Sequence, residues 1–197
     1  MYRGGLMMIG QMTMKQLTLF YLQHVTSLEV EAMRRVFLLR RIHGLTWLMK
    51  SASRLGDWPL WAATGLCLLA GDEHHRWTAL AAATAVGASV LCFKVVKTLV
   101  GRPRPFESWQ GLTSLVPAPD RFSFPSGHTM TAFAVWAVLA QGLPLLSPPF
   151  LMAAIVIGSS RVFLGMHYPT DVLVGALLGS SIGRGSAALL LQDHLLR

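Results

Sequence analysis

The chain has 197 residues, about the length of one domain, of which 53% are hydrophobic and only 13% are charged. A soluble domain carries about 25% charged residues, so this composition and a mean hydropathy of +0.49 disfavour a soluble protein. We therefore predict an all-α integral membrane helical bundle, in preference to a soluble helical protein with an unusually large core.

The net charge of +8 is concentrated near the N-terminus, where residues 1–56 carry eight basic and two acidic side chains. A basic, moderately apolar segment suits an anionic lipid surface, and we expect no nucleic-acid partner because membrane-like sequence follows directly. Apolar residues recur at helical spacing between paired arginines in 31–54, which predicts an amphipathic helix at the membrane interface. We place a basic N-terminal arm at residues 1–50 and a transmembrane domain at residues 51–197.

Five apolar segments follow the arm, and each is predicted to cross the membrane. They lie within 55–76, 77–93, the two halves of 127–160, and 171–192. Residues 127–160 contain no Asp, Glu, Lys or Arg and exceed the roughly 20 residues that one span needs, so the prolines within 142–149 divide them into a hairpin. Asp57, near the start of the first segment, is expected to cap the N-terminus of its helix.

Three polar stretches lie at the ends of these spans. They are KTLVGRPRP at 97–105, FPSGH at 124–128 and SRVFLGMHYPTD at 160–171. Because successive spans alternate in direction, the end of the second span, the start of the third, the end of the fourth and the start of the fifth share one membrane face. The sequence therefore predicts that the three stretches converge on one site.

The cations of these stretches indicate an anionic ligand. They are Lys97, Arg102, Arg104 and Arg161. Guanidinium groups match phosphate oxygens in bidentate pairs, and lysine adds a point charge. Ser126 and the free N–H groups at the start of the third span are further donors to an anion. We expect this ligand to be a phosphate group.

Two histidines and one aspartate can supply chemistry at that phosphate. One of His128 and His167 can attack while the other protonates the leaving group, since histidine serves as nucleophile and as acid near neutral pH. Asp171, four residues after His167, can bond one ring nitrogen and so select the nitrogen that faces the substrate. His128 alone would be interpreted as an ordinary polar residue at a membrane interface, and the other two stretches favour the catalytic interpretation.

The spacing of these residues resembles the three-part signature of the type 2 phosphatidic acid phosphatase (PAP2) superfamily, which includes the vanadium haloperoxidases. The matching motifs are Lys97-x6-Arg104-Pro105, Pro125-Ser126-Gly127-His128 and Ser160-Arg161-x5-His167-x3-Asp171. The resemblance covers roughly residues 50–191 and implies a PAP2/haloperoxidase-like helical core. Arg102 lies outside the signature and is expected to contact lipid headgroups or a flanking phosphate.

The resemblance also implies a role for each matched position. His167 takes the place of the nucleophile that becomes a phosphohistidine, Asp171 of the residue that orients it, and His128 of the general acid. Phosphate-binding roles fall on Lys97, Arg104, Ser126, Gly127 and Arg161. The lipid phosphatases of the family need no metal ion, which agrees with the scarcity of clustered carboxylates in the three stretches, and we expect no cofactor.

The resemblance and the membrane setting together imply a membrane-embedded lipid phosphatase, expected in the bacterial inner membrane. Its substrate would be a lipid phosphomonoester or diphosphate of the phosphatidic acid, phosphatidylglycerol phosphate or undecaprenyl diphosphate type. Two alternatives are a lipid phosphotransferase that uses the same site and a non-catalytic membrane protein that binds anionic lipid. A haloperoxidase is disfavoured, because those relatives are typically soluble.

The side of the membrane that carries the site has two interpretations. With five spans, the arm and the site lie on the same face, and the positive-inside rule assigns that face to the cytoplasm. The resemblance instead favours an extracytoplasmic site, and many lipid phosphatases of the family have six spans.

Overall fold

A computed structural model describes residues 27–195, and the regular structure of this part is helical throughout. The helices are α1 (27–38), α2 (His43–Leu55), α3 (Pro59–Leu69), α4 (Glu73–Val100), α5 (Pro105–Ser108), α6 (Gly127–Gly142), α7 (Ser147–Phe163) and α8 (Pro169–Leu195). Two 3-10 turns, Leu39–Arg41 and Pro144–Leu146, join α1 to α2 and α6 to α7. The all-α prediction is confirmed.

The five apolar helices α3, α4, α6, α7 and α8 follow the order of the five predicted spans. Three segments of the described chain are long and apolar enough to cross a membrane: Glu73–Ser108, Pro144–Phe163 and Pro169–Leu191. The apolar α3 has only 11 residues, fewer than the roughly 20 that a perpendicular span needs. Helix α6 has 16 residues and is mostly buried, because α4, α7 and α8 surround it.

The described part of the N-terminal arm differs from the single interfacial helix predicted over 31–54. Two helices, α1 and α2, are separated by an extended backbone at Ile42. On α1, Val30 and Met33 are buried against Leu112 and Tyr168, so this helix packs on the protein. Helix α2 packs on α7. Tertiary contacts therefore hold the described part of the arm in place, in addition to any contact with lipid.

A row of glycines on α8 allows this helix to approach α6 very closely. Gly175, Gly179 and Gly183 are spaced four residues apart and therefore share one helix face. A Cβ atom on Gly179 would lie only 2.1 Å from the carbonyl oxygen of Met130 on α6, too close for any residue but glycine. The two helix starts are consequently in contact, and the N–H of Ser126 donates to a backbone carbonyl at the start of α8.

The turn between α7 and α8 presents His167 at the same end of the bundle. Gly165 has a φ of +80°, in the left-handed region that favours glycine, and a Cβ there would lie 2.5 Å from the carbonyl of Thr113. The N–H groups of Met166 and His167 both donate to the carbonyl of Arg161. The chain after α7 therefore folds back toward the last turn of that helix, which places His167 beside the start of α6.

Candidate active site

The three polar stretches meet in one cavity of about 480 Å³ at the end of the bundle. Five of the predicted site residues line it: Lys97, Arg104, Gly127, His128 and His167. These residues come from the end of α4, the segment before α5, the start of α6 and the turn before α8. The predicted convergence of the span ends on one face is confirmed.

His167 is buried and is oriented by a backbone carbonyl. Its Nδ1 lies 2.7 Å from the carbonyl oxygen of Ser123, which can only accept, so Nδ1 carries the proton. The Nε2 atom is then the ring nitrogen with a free lone pair. Asp171 Oδ2 lies 3.6 Å from Nδ1, too far for a hydrogen bond. Burial lowers the pKa of His167 to about 3, against the opposing effect of Asp171, so the ring is neutral at neutral pH.

Asp171 is fully buried, and other partners occupy its carboxylate. Arg102 donates to Oδ1 at 2.7 Å, and the N–H of Tyr168 donates to Oδ2 at 2.8 Å. Arg102 also donates to Glu29 Oε2 at 2.6 Å and to the Thr170 hydroxyl at 2.8 Å. The expectation that Arg102 contacts lipid headgroups or a flanking phosphate is wrong, because two carboxylates behind the site engage its guanidinium.

Lys97 and Arg104 hold the carboxylate of Asp120 between them. Lys97 Nζ lies 2.8 and 2.7 Å from the two carboxylate oxygens, and it donates to the carbonyl of Phe122 at 2.9 Å. Arg104 NH2 donates to Oδ1 of Asp120 at 2.6 Å, while its NH1 donates to the carbonyl of Met166 at 2.8 Å. Burial opposes ionisation of Asp120, but these two cations outweigh it and hold its pKa below the usual range. The two predicted phosphate-binding cations, Lys97 and Arg104, thus bind a carboxylate of the protein itself.

Arg161 and Ser126 are both buried close to this cavity. Arg161 NH1 donates to the hydroxyl of Ser53 on α2, and its Nε is buried without a hydrogen-bond partner in the described part of the chain. A buried unpaired guanidinium nitrogen is costly, so this atom is a candidate donor to a bound anion. The Ser126 hydroxyl accepts from Thr129 at 2.9 Å, and its N–H donates to the carbonyl of Asp171 at 3.0 Å.

His128, in the first turn of α6, contacts the carboxylate of Asp57. Its Nε2 lies 2.5 Å from Asp57 Oδ1. The expectation that Asp57 caps α3 is wrong, because the N-cap of that helix is Trp58 and no side-chain bond caps it. Asp57 instead lines the cavity, since the close packing of α2 on α7 brings the α2–α3 turn over the start of α6.

Four site residues were missing from the sequence-based interpretation: Asp57, Asp120, Ser123 and Glu29. Asp120 precedes Ser126 by six residues in PAPDRFSFPSGH, and an acidic residue so near an anion site could have signalled a contact with its cations. The other three lack a comparable signal, because each meets its partner through tertiary contacts. The site is therefore less cationic than its three polar stretches suggest.

Comparison with known proteins identifies the family. Residues 78–193 match the PAP2 superfamily. The chain is 34% identical over 162 residues to phosphatidylglycerophosphatase B of Bacillus subtilis, which covers 76% of this chain and 77% of that protein. It is 29% identical over 147 residues to undecaprenyl-diphosphatase of Sulfolobus acidocaldarius, which covers 72% of this chain and 69% of that protein.

A crystal structure of similar fold supports the same assignment. It is that of a transmembrane PAP2-type phosphatidylglycerolphosphate phosphatase from Bacillus subtilis, with a TM-score of 0.69 and 29% sequence identity over 92% of this chain and 96% of that one. Together with the long apolar helices, this similarity identifies an integral membrane protein. All three signature motifs fall inside the matched segment, and the chain belongs to the PAP2 superfamily.

Proposed function

We propose that this membrane lipid phosphatase transfers the phosphoryl group of its substrate to His167 and then to water. The observation that carries the proposal is the meeting of two histidines and two cations, His128, His167, Lys97 and Arg104, around one cavity. The relatives named above are phosphatases of phosphatidylglycerophosphate and of undecaprenyl diphosphate. A lipid phosphomonoester or diphosphate is therefore the substrate class that we assign.

Phosphate binding begins with an exchange of anions. The substrate phosphate replaces the carboxylate of Asp120 on Lys97 and Arg104, since both anions need the same charge-assisted donors. The unpartnered Nε of Arg161 adds a further donor. Gly127 and the first N–H groups of α6 face the same anion, where the helix dipole favours negative charge.

The chemical steps follow from the two histidines. The neutral Nε2 of His167 attacks phosphorus, and the bond from phosphorus to the leaving oxygen breaks as His128 gives that oxygen a proton. Water then attacks the phosphohistidine while His128 accepts one of its protons, and the phosphorus–nitrogen bond breaks to release phosphate. His128 acts as the acid in its imidazolium form: its Nε2–H donates to Asp57, and its Nδ1 carries the proton that is transferred.

Metal independence is part of the same proposal. The site carboxylates that could hold a cation already have partners in the described structure: Asp57 contacts His128, Asp120 contacts Lys97, and Asp171 contacts Arg102. Charge on the transferred phosphoryl group would be neutralised by protein cations. We expect phosphate release to continue in EDTA, and a loss of activity that Mg²⁺ restores would contradict this point.

The decisive experiment measures phosphate release and the covalent intermediate in a His167→Asn variant. An asparagine amide can still donate to the carbonyl of Ser123, but it cannot attack phosphorus. We expect release from a panel of lipid phosphates to fall by about three orders of magnitude or more. Acid-labile, base-stable phosphoenzyme should be trapped in the wild type and absent from the variant.

The matched control is His43→Asn, which changes an exposed histidine at the start of α2. This variant should keep wild-type activity and phosphoenzyme levels. Undiminished release by His167→Asn would overturn the mechanism. Counting free phosphate against labelled lipid acceptor in the same assay separates hydrolysis from transfer to a second lipid.

Location and domain boundaries also belong to the proposal. We place the protein in a bacterial inner membrane, supported by its long apolar helices and by the Bacillus subtilis relative. The division at residue 50 between a basic arm and the phosphatase domain is kept as a prediction. Fractionation of the native membranes and a reporter fused after residue 197 would test the location and the side on which the chain ends.

A further inference from the structure

A second cavity of about 460 Å³ adjoins the active site on the side of α2. It shares His128 and Asp57 with the first cavity, and Arg161 also lines it. The general acid of the proposed mechanism therefore stands between the two cavities. A leaving group that accepts a proton from His128 has this second space within its reach.

The second cavity carries cations that the proposed mechanism does not use. Lys50 and Arg54 line it together with Ser51 and Ser53. Lys50, Ser53 and Arg54 are spaced three and four residues apart on α2, so they share one helix face. The described structure records no ion pair for Lys50 or Arg54, so both charges are available to a ligand.

This face of α2 packs against the active site. The hydroxyl of Ser53 accepts a hydrogen bond from Arg161, whose remaining Nε is buried and unpartnered. At the end of α2, a Cβ on Gly56 would lie 2.7 Å from the Cγ2 of Ile157 on α7, which shows how closely the two helices pack. The exposed cations of α2 therefore lie beside the phosphate site.

We propose that the second cavity binds a second phosphate group of the substrate. It selects lipids in which another phosphate follows the scissile one, either directly as a diphosphate or through a short polyol as a phosphodiester. Lys50 and Arg54 pair with this second phosphate, and Ser51 adds a hydroxyl donor. A lipid with a single phosphate leaves these residues solvated. The inference rests on the proposed function and names the substrate class for the same site.

The test compares substrates that carry the second phosphate with substrates that lack it. One pair is an isoprenyl diphosphate and the isoprenyl monophosphate of equal chain length; the other is phosphatidylglycerol phosphate and phosphatidic acid with equal acyl chains. Phosphate release is measured in nonionic detergent micelles, where attraction of basic residues to an anionic bilayer makes no contribution. The variant is Lys50→Gln combined with Arg54→Gln.

We expect this double variant to lose about tenfold or more in kcat/KM for the substrates with two phosphates, and to stay within about twofold of wild type for those with one. The control is Arg41→Gln combined with Lys94→Gln, which removes the same charge from exposed residues that line neither cavity. The control should match the wild type on all four substrates. Retained cleavage of the monophosphates also shows that the double variant is folded.

Each outcome has a defined meaning. A selective loss with the isoprenyl diphosphate alone, or with phosphatidylglycerol phosphate alone, supports the second site and gives the spacing it prefers. Equal losses on all four substrates, or no loss on any, overturn the inference while leaving the proposed function intact. A wild-type protein that releases phosphate from none of the four overturns the proposed function, and the inference with it.

Discussion

His167 illustrates how a side chain can be positioned by a partner other than the expected one. Its Nδ1 donates to the carbonyl of Ser123, while the carboxylate of Asp171 lies beyond hydrogen-bond distance. The carbonyl selects the tautomer that leaves Nε2 free, which is the function expected of an aspartate in a catalytic triad. Asp171 instead organises Arg102 and the N–H of Tyr168 behind the ring.

Asp120→Asn should increase the affinity of the site for inorganic phosphate by about tenfold, because phosphate no longer competes with a carboxylate for two cations. The inhibition constant of phosphate in the hydrolysis assay measures this change. Asp72→Asn is the control, since Asp72 caps the opposite end of α4. Weaker inhibition of Asp120→Asn would show that the carboxylate orients Lys97 and Arg104 for the ligand.

The buried His167 should make the protein less stable in acid. Its pKa falls from 6.5 to about 3 on folding, so between these values the unfolded chain binds the proton and the folded chain does not. The contribution of the neutral His167 to the free energy of unfolding is therefore fully present above pH 6.5. It is lost as the pH falls toward 3, by up to about 1.4 kcal/mol per pH unit. His167→Asn should show a smaller drop in unfolding temperature between pH 7.5 and pH 5.

The exposed His43→Asn variant serves as the control for this measurement. Its unfolding temperature should fall with acidification as steeply as that of the wild type. Parallel curves for the wild type and His167→Asn would contradict the assignment of a neutral, buried imidazole.

The close packing of α8 on α6 depends on the absence of a side chain at Gly179. Gly179→Ala should lower the free energy of unfolding by about 1–3 kcal/mol, because its methyl group would lie 2.1 Å from the carbonyl oxygen of Met130. Gly185→Ala, on the same helix with nothing within 4 Å, should be neutral or slightly stabilising. Thermal unfolding in detergent measures both variants, and equal unfolding temperatures would refute the close-packing argument.

Across the whole molecule, helix α1 is hydrogen-bonded to the side of the active site that lies behind His167. The buried carboxylate of Glu29 accepts from Arg102 and, at 2.7 Å, from the N–H of Thr170. Both partners are donors, so the amide of Glu29→Gln must turn its own donor toward one of them. We expect this variant to undock α1 and to be cleaved by trypsin within 34–41 several times faster than the wild type.

Glu31→Gln is a matched control on the same helix, because its exposed ion pair with Arg35 contributes little. It should be cleaved at the wild-type rate. Identical cleavage of both variants would show that Glu29 does not secure the helix.

Much of the architecture could be predicted from local sequence. Hydropathy located the apolar helices, and the strict alternation of span direction placed the three polar stretches on one face. The single amphipathic helix over 31–54 was the main error, because the helix is interrupted at Ile42 and α1 packs on the protein through Val30 and Met33. Periodicity describes which face of a helix is apolar, but it does not say what the face packs against.

The sequence by itself determined the helical membrane bundle and the set of polar residues at one end, because hydropathy and motif spacing are properties of neighbours along the chain. Only the tertiary structure decided which carboxylate meets which cation: Asp120 on Lys97, Asp57 on His128, and Arg102 on Asp171. The second cavity, which Lys50 and Arg54 line, likewise forms only because α2 packs on α7. These pairings depend on how closely the helices approach one another, which close contacts such as that at Gly179 set and which no local pattern encodes.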